Sequence, residues 1–192
     1  VLREPLESGL VTISRAARQS EFPARFQLVA AMNPCPCGWA GDISGRCRCS
    51  SDAITRYRAR ISGPLLDRID LHVDVPRLPP AALRPDAPEG ESSGHIRQRV
   101  IDARQRQLDR AGVTNAALDQ AATARDCRLA PGDQALLERA IDALHLSARA
   151  MHRILRLART IADLDGQTSI ASIHLTEALT YRGASACDRA IN

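Results

Sequence analysis

Phe26-Gln27-Leu28-Val29-Ala30-Ala31-Met32-Asn33-Pro34 is the stretch on which the fold turns. Residues 26–32 make an apolar run of strand length, with none of the strict alternation of a half-solvated strand. Such runs suit a strand buried on both faces of a parallel sheet, and the Asn33-Pro34 pair ends it. Before it, residues 1–8 read as the end of a helix stopped by Gly9, residues 10–14 as a short strand, and residues 15–24 as a polar loop. After it, residues 34–50 form a cysteine-bearing loop. Ser51 or Asp52 then caps a helix running to about Ile61. Gly63-Pro64 breaks that helix and a helical turn carries residues 65–68. Leu71, Val73 and Val75 alternate as a further strand.

Residues 76–94 hold five prolines, two glycines and two serines, the composition of a linker or an open loop. Beyond them the pattern turns helical. Ser92 or Ser93 caps a helix over 95–111 with Ile96, Val100, Ala103 and Leu108 on one stripe, ended by Gly112. An irregular segment covers 113–130. A helix opens at Gly132-Asp133 and runs through about Leu144, burying Leu136, Leu137, Ala140 and Ile141. Another starts at Ser147 and reaches Leu164, with Met151, Ile154, Leu155, Ala158 and Ile161 inward, and Asp165-Gly166 stops it. A last one starts at Thr168 or Ser172 and runs to about Tyr181. The fold class expected is therefore α/β plus all-α, the second half a small helical bundle.

Composition bounds the function. The 192 residues contain 44% hydrophobic but only 3% aromatic side chains, so the core is built from Ala, Leu, Ile and Val. No apolar run approaches the 18 or so residues that span a bilayer. The net charge is +4, and every basic side chain is arginine. Without a lysine the chain cannot complete a P-loop, whose lysine reaches the β- and γ-phosphates. No apolar run ends in Asp-Glu to hold magnesium. The sequence opens Val-Leu-Arg-Glu-Pro, with no Met and no apolar signal region, and reads as cut out of something longer.

Four motifs carry chemistry. Cys35-Pro-Cys37 and Cys47-Arg-Cys49, nine residues apart, place two thiol pairs on one loop. Gly38, Gly41 and Gly45 let it fold back, so that four thiolates can reach a structural zinc ion at about 2.3 Å. Four reduced thiols in a flexible loop, or a disulfide, are the other readings, the last at odds with a cytosolic protein. Cys127 and Cys187 are isolated and read as packing residues. Asn33 stands where a buried strand emerges at its C-terminal edge, where open α/β sheets place ligands. Its amide can orient a water toward a phosphate, although asparagine before proline is also a common turn. Arg68, in Leu65-Leu66-Asp67-Arg68-Ile69-Asp70-Leu71, can stabilise charge on a phosphoryl group held by a neighbouring subunit; the alternative is a surface ion pair with Asp67 or Asp70. Arg149, Arg153 and Arg156, at i, i+4 and i+7, share one face near a helix start. That face can meet a polyphosphate or simply face solvent.

Together these motifs resemble one family: the magnesium-chelatase-like AAA+ ATPases of bacteria, the YifB/ComM group, C-terminal half only. The resemblance is carried by Leu-Arg-Glu-Pro-Leu-Glu-Ser-Gly at 2–9, Ile-Ser-Arg-Ala at 13–16 and Phe-Gln-Leu-Val-Ala-Ala-Met-Asn-Pro-Cys-Pro-Cys-Gly at 26–38. It continues in Ile-Ser-Gly-Pro-Leu-Leu-Asp-Arg-Ile-Asp-Leu at 61–71 and in Ser-Ala-Arg at 147–149 with Arg-Ile-Leu-Arg-Leu-Ala-Arg-Thr-Ile-Ala-Asp-Leu at 153–164.

The resemblance implies the later strands of a P-loop NTPase core over 1–76, including the Cys-rich loop 34–50. It further implies a linker over 77–94, a helical lid over 95–182 and a tail over 183–192. By the same resemblance Asn33 matches the sensor that orients the attacking water. Arg68 matches the arginine finger acting on the next subunit's ATP, and Arg149 matches the lid sensor, with Arg153 as second choice. ATP and Mg2+ are the implied cofactors, and a cytoplasmic hexameric ring acting on DNA the implied assembly. Its implied activity is helicase-type branch migration of recombination intermediates in natural transformation. The family's P-loop and acidic motif are missing from these residues, so the fragment alone is expected to be inactive. A chelatase-like remodelling subunit and a non-enzymatic zinc-stapled interaction module are the competing functions.

Overall fold

The computed structural model describes residues 2–15 and 18–183. Two compact units make up the chain, Val1–Ile69 and Asp70–Asn192.

The first unit opens with a single helical turn, α1 (Pro5–Ser8). Gly9 ends it in the left-handed region (φ 69°) and donates its N–H to the Pro5 carbonyl. A side chain there would be strained, and its Cβ would come within 3.2 Å of the Arg25 Cγ. Strands β1 (Leu10–Arg15) and β2 (Arg18–Pro23) follow as an antiparallel hairpin, pairing Val11 with Phe22 and Ile13 with Ser20. The expected polar loop at 15–24 is thus mostly a strand. Its Gln-Ser-Glu segment is polar because an exposed two-stranded ribbon does not require apolar alternation.

Residues 26–32, expected as a buried strand, form no regular element and pair with nothing among the described residues, and Val29 is 84% exposed. Residues 71–75 likewise form no strand. A strand is a property of a pair of segments, and the only described sheet is the β1–β2 hairpin. The parallel-sheet core that the sequence suggested is therefore not formed among the described residues.

Helix α2 (Ser51–Arg58) is capped by Ser50, whose Oγ accepts the Ala53 N–H at 3.2 Å. The cap lies one residue before the expected one, and the helix stops short of Ile61. Helix α3 (Gly63–Leu66) begins at the Gly-Pro pair instead of after it, because proline in the first turn is pre-set for helix and needs no N–H there.

The second unit is a helical bundle, as expected. Helix α4 (Ser93–Ala111) is capped by Ser92 and closed by Gly112 at φ 69°. The segment expected to be irregular contains a 3-10 turn (Asn115–Ala117) and helix α5 (Gln120–Asp126). Helices α6 (Pro131–Ala143), α7 (Ala148–Leu164) and α8 (Ser172–Gly183) complete it. Apart from Gly183, the expected tail 183–192 lies outside the described residues, as does Cys187.

Helix α7 is the centre of the bundle. Ser147 caps it by accepting the Ala150 N–H at 3.2 Å. Ile154, Ala158 and Ala162, spaced at four residues, are buried along one stripe. They pack with Leu118, Cys127, Leu137, Ile170, Leu175 and Ala178 into one core cluster. The apolar stripe expected on α4 is only partly used. Ala103 and Gln107 are buried, whereas Ile96, Val100 and Leu108 stay exposed. The α4–α7 polar contacts come from the C-terminal turns of α4, where Arg106 and Arg110 reach Asp163.

Candidate functional site

The cysteine loop is the best-defined constellation in the first unit. Three glycines in the left-handed region, Gly38 (φ 79°), Gly41 (φ 81°) and Gly45 (φ 63°), turn the chain back on itself. The result brings the Sγ atoms of Cys35, Cys37, Cys47 and Cys49 within 4.8 Å of one another. The Cys35–Cys37, Cys35–Cys47 and Cys37–Cys47 distances are 3.3, 3.8 and 3.7 Å. None is a disulfide. Cys35 is fully buried, and the Ala40 N–H points at its sulfur at 3.3 Å.

Burial opposes a thiolate at Cys35. Hydrogen bonds from Cys37 and from the backbone of Ala40, Cys37 and Trp39 outweigh it and hold the pKa down to about 6. Around the cluster, the Arg46 guanidinium lies 4.9 Å from the centre of the Trp39 ring. Cys127, by contrast, is buried in the apolar core of the second unit, which pushes its thiol up to about 11, as befits a packing residue.

Asn33 precedes this loop and is exposed. A Cβ added at Gly38 would meet its amide nitrogen at 3.8 Å, so the loop passes directly beside it. The Pro34 carbonyl accepts from Arg58 Nε of α2 at 3.2 Å, tying the start of the loop to the helix that follows its end.

Arg68 follows α3. Its Nη1 donates to the Pro64 carbonyl at 2.6 Å and its Nη2 to the Glu7 carboxylate. The surface pair expected with Asp67 or Asp70 is not the one formed. Glu7, at the end of the α1 turn, takes the guanidinium, and the Arg68 side chain is only 16% exposed. Its buried Nε has no hydrogen-bond partner among the described residues.

In the second unit, the arginine stripe of α7 divides. Arg149 is exposed at the helix start. Arg153 donates to Asp70 at 2.9 Å, so its partner is the first residue of this unit. Arg156 donates to the carbonyls of Leu118 (3.0 Å) and Ala116 (3.4 Å), fastening the loop before α5. Arg156 is therefore structural, Arg153 is engaged with Asp70, and Arg149 is the exposed member of the three.

One polar cluster escaped the sequence reading. Asp163, fully buried, accepts Arg110 at 2.7 and 2.8 Å and the Asn115 amide at 2.8 Å, with Arg159 at 3.1 Å. Arg159 also donates to the carbonyls of Thr168 and Gln167. Burial would raise the Asp163 pKa, but Arg110, Asn115 and Arg159 together hold it below the ordinary value. Only the Arg159–Asp163 pair, at i and i+4, left a local signal.

The family model described as "Magnesium chelatase, subunit ChlI" matches residues 1–83. The one described as "Magnesium chelatase, subunit ChlI C-terminal" matches residues 90–182. Competence protein ComM of Haemophilus influenzae is 50% identical over 182 residues, covering 94% of this chain and 35% of the relative. The uncharacterized protein YifB of Escherichia coli (strain K12) is 46% identical over the same shares. An uncharacterized protein of Mycobacterium tuberculosis (strain H37Rv) is 40% identical over 189 residues, 96% of this chain and 37% of its own. The chain thus spans about a third of the length of the curated relatives it matches.

Proposed function

We propose that this chain, which belongs to the magnesium-chelatase-like family of ComM and YifB, is the C-terminal part of an AAA+ ATPase that works as a cytoplasmic hexameric ring. Residues 1–76 are the later part of the ATP-binding core, 77–94 a linker and 95–182 the lid. In the full-length protein ATP and Mg2+ are bound by the preceding part of the core. Asn33 orients the attacking water. Arg68 reaches the γ-phosphate held by the neighbouring subunit, and Arg149 or Arg153 contacts the nucleotide from the lid.

The observation that carries this reading is the state of Arg68. Its stem is packed, its guanidinium is held by Glu7 and Pro64, and the side chain is still partly open to solvent. An arginine that stabilises charge on a transferring phosphoryl group needs that combination of fixed geometry and access.

No helix among the described residues is long and apolar enough to cross a membrane. The chain carries no lysine for a phosphate loop. In isolation it is inactive, and hydrolysis belongs to the full-length protein. We take DNA as the substrate and branch migration as the work done, a reading with which a relative named a competence protein agrees. The chelatase descriptions of both matching families support a second reading, a subunit that remodels another protein.

ATP hydrolysis by the full-length protein, measured with branched DNA, linear DNA or none, separates the two. Faster turnover on branched DNA is expected of the motor. Equal rates in all three refute it and leave the remodelling subunit.

A further inference from the structure

We propose that Cys35, Cys37, Cys47 and Cys49 bind one zinc ion, and that this ion fastens the loop beside Asn33. The second clause rests on the role proposed for Asn33; the first does not.

The thiol geometry is that of a mononuclear tetrahedral site. With Zn–S bonds of about 2.3 Å, the sulfurs of a tetrahedron lie about 3.8 Å apart. The three close pairs here are at 3.3, 3.8 and 3.7 Å, and the fourth sulfur lies within 4.8 Å of the others. Sulfurs this close leave no room for bridging sulfides between two irons, and four soft thiolates with no oxygen donor select zinc over magnesium or calcium. The set is complete with four protein ligands, as in structural zinc sites, so it offers no open position for substrate.

The surroundings fit the same role. Among the described residues of the first unit only Pro5 and Cys35 are buried. The cysteine cluster therefore holds the place of a hydrophobic core there, and a metal supplies the cross-link that buried apolar area does not.

The loop starts immediately after Asn33, at Pro34, and ends at Ser50, the cap of α2. Arg58 of α2 holds Pro34 from the other side. One ion tying the two Cys-x-Cys pairs together therefore also fixes the distance between Asn33 and α2. Gly38, which lies between the second and third ligands, is the residue beside the Asn33 amide.

The test is metal analysis of the full-length protein purified without added metal, together with thiol titration and replacement of the native metal by cobalt. One zinc per chain, and the visible absorption bands of tetrahedral cobalt–thiolate, are expected. Cys47→Ser with Cys49→Ser should lose both. Absence of zinc, with Cys35, Cys37, Cys47 and Cys49 titrating as free thiols or joined in disulfides, overturns the site. Because the double variant can fail to fold, the cobalt spectrum of the unmodified protein stands as an independent reading. For the fastening role, removing zinc by chelation should lower kcat for ATP at unchanged nucleotide affinity, and restoring zinc should recover it. Zinc removal without any change in kcat overturns that role alone. Asn33→Ala with undiminished hydrolysis would instead refute the role of Asn33 and leave the metal site standing.

Discussion

The guanidinium of Arg68 donates to the carboxylate of Glu7, 61 residues earlier in the chain. Glu7 sits on the one-turn helix that precedes the hairpin, and a second donation to Pro64 fixes the other end of the fork. Glu7 is thus a positioning residue for the proposed finger. In the full-length protein Glu7→Gln keeps the size of the side chain and removes its charge. Steady-state kinetics should show kcat reduced by up to about a hundredfold, as for a misplaced catalytic group, with ATP affinity unchanged. Glu7→Asp should recover part of the loss. Wild-type kcat in Glu7→Gln would show that the pair only decorates the surface.

The buried Asp163 gives a second expectation. It is held by Arg110, Asn115 and Arg159, and removing it leaves two cations facing a void. Asp163→Ala should destabilise the helical unit by about 3–5 kcal/mol, the range for breaking one side of a buried pair. Urea unfolding followed by circular dichroism measures it. A loss below about 1 kcal/mol would mean that water reaches and compensates the arginines.

The same residue sets an acid limit. Its folded pKa lies below the ordinary 3.8, through Arg110, Asn115 and Arg159 acting against burial. A depressed carboxylate stabilises the fold above its unfolded pKa and loses that contribution as pH falls through the folded value. Stability should therefore be flat in this respect from neutral pH to about pH 4 and then fall. Asp163→Asn should flatten the fall. An identical acid profile for the two proteins would assign the loss to other carboxylates.

Packing around α7 yields a simpler test. Ile154 is buried at the centre of the cluster formed with Leu137 and Leu175. Ile154→Ala should cost about 2–5 kcal/mol by lost burial and the cavity left behind. Thermal unfolding reads it, and a shift indistinguishable from that of a surface substitution would refute the central place given to this helix.

The helical half was legible because its signals are local. On α7 the four-residue spacing of Ile154, Ala158 and Ala162, the Ser147 cap and the Asp165-Gly166 stop all lie within 20 or so residues. The gathering of the four cysteines was legible for the same reason, since both thiol pairs and the turning glycines share one loop. The polar strand β2 was not, because Gln19-Ser20-Glu21 has the composition of a loop and becomes a strand only through its partner β1. Residues 26–32 failed in the opposite sense. Their composition is that of a buried strand, but pairing is non-local and no described segment provides it. Partners far apart in sequence, Glu7 for Arg68 and Asp70 for Arg153, left no signal at all.

The isolated 192-residue chain should bind ATP no more tightly than about millimolar, because nothing in it replaces the phosphate-loop lysine. Titration calorimetry checks this, and micromolar affinity would place a nucleotide site within these residues.

The most direct measurement is ATP hydrolysis by the full-length protein carrying Arg68→Ala, at saturating ATP, alone and mixed with wild-type subunits. Loss of at least about a thousandfold in kcat with ATP binding retained is expected of a trans-acting arginine. In mixed rings, activity should fall as variant subunits are added, because each silences the site of its neighbour. Hydrolysis at the wild-type rate by Arg68→Ala alone would contradict the account.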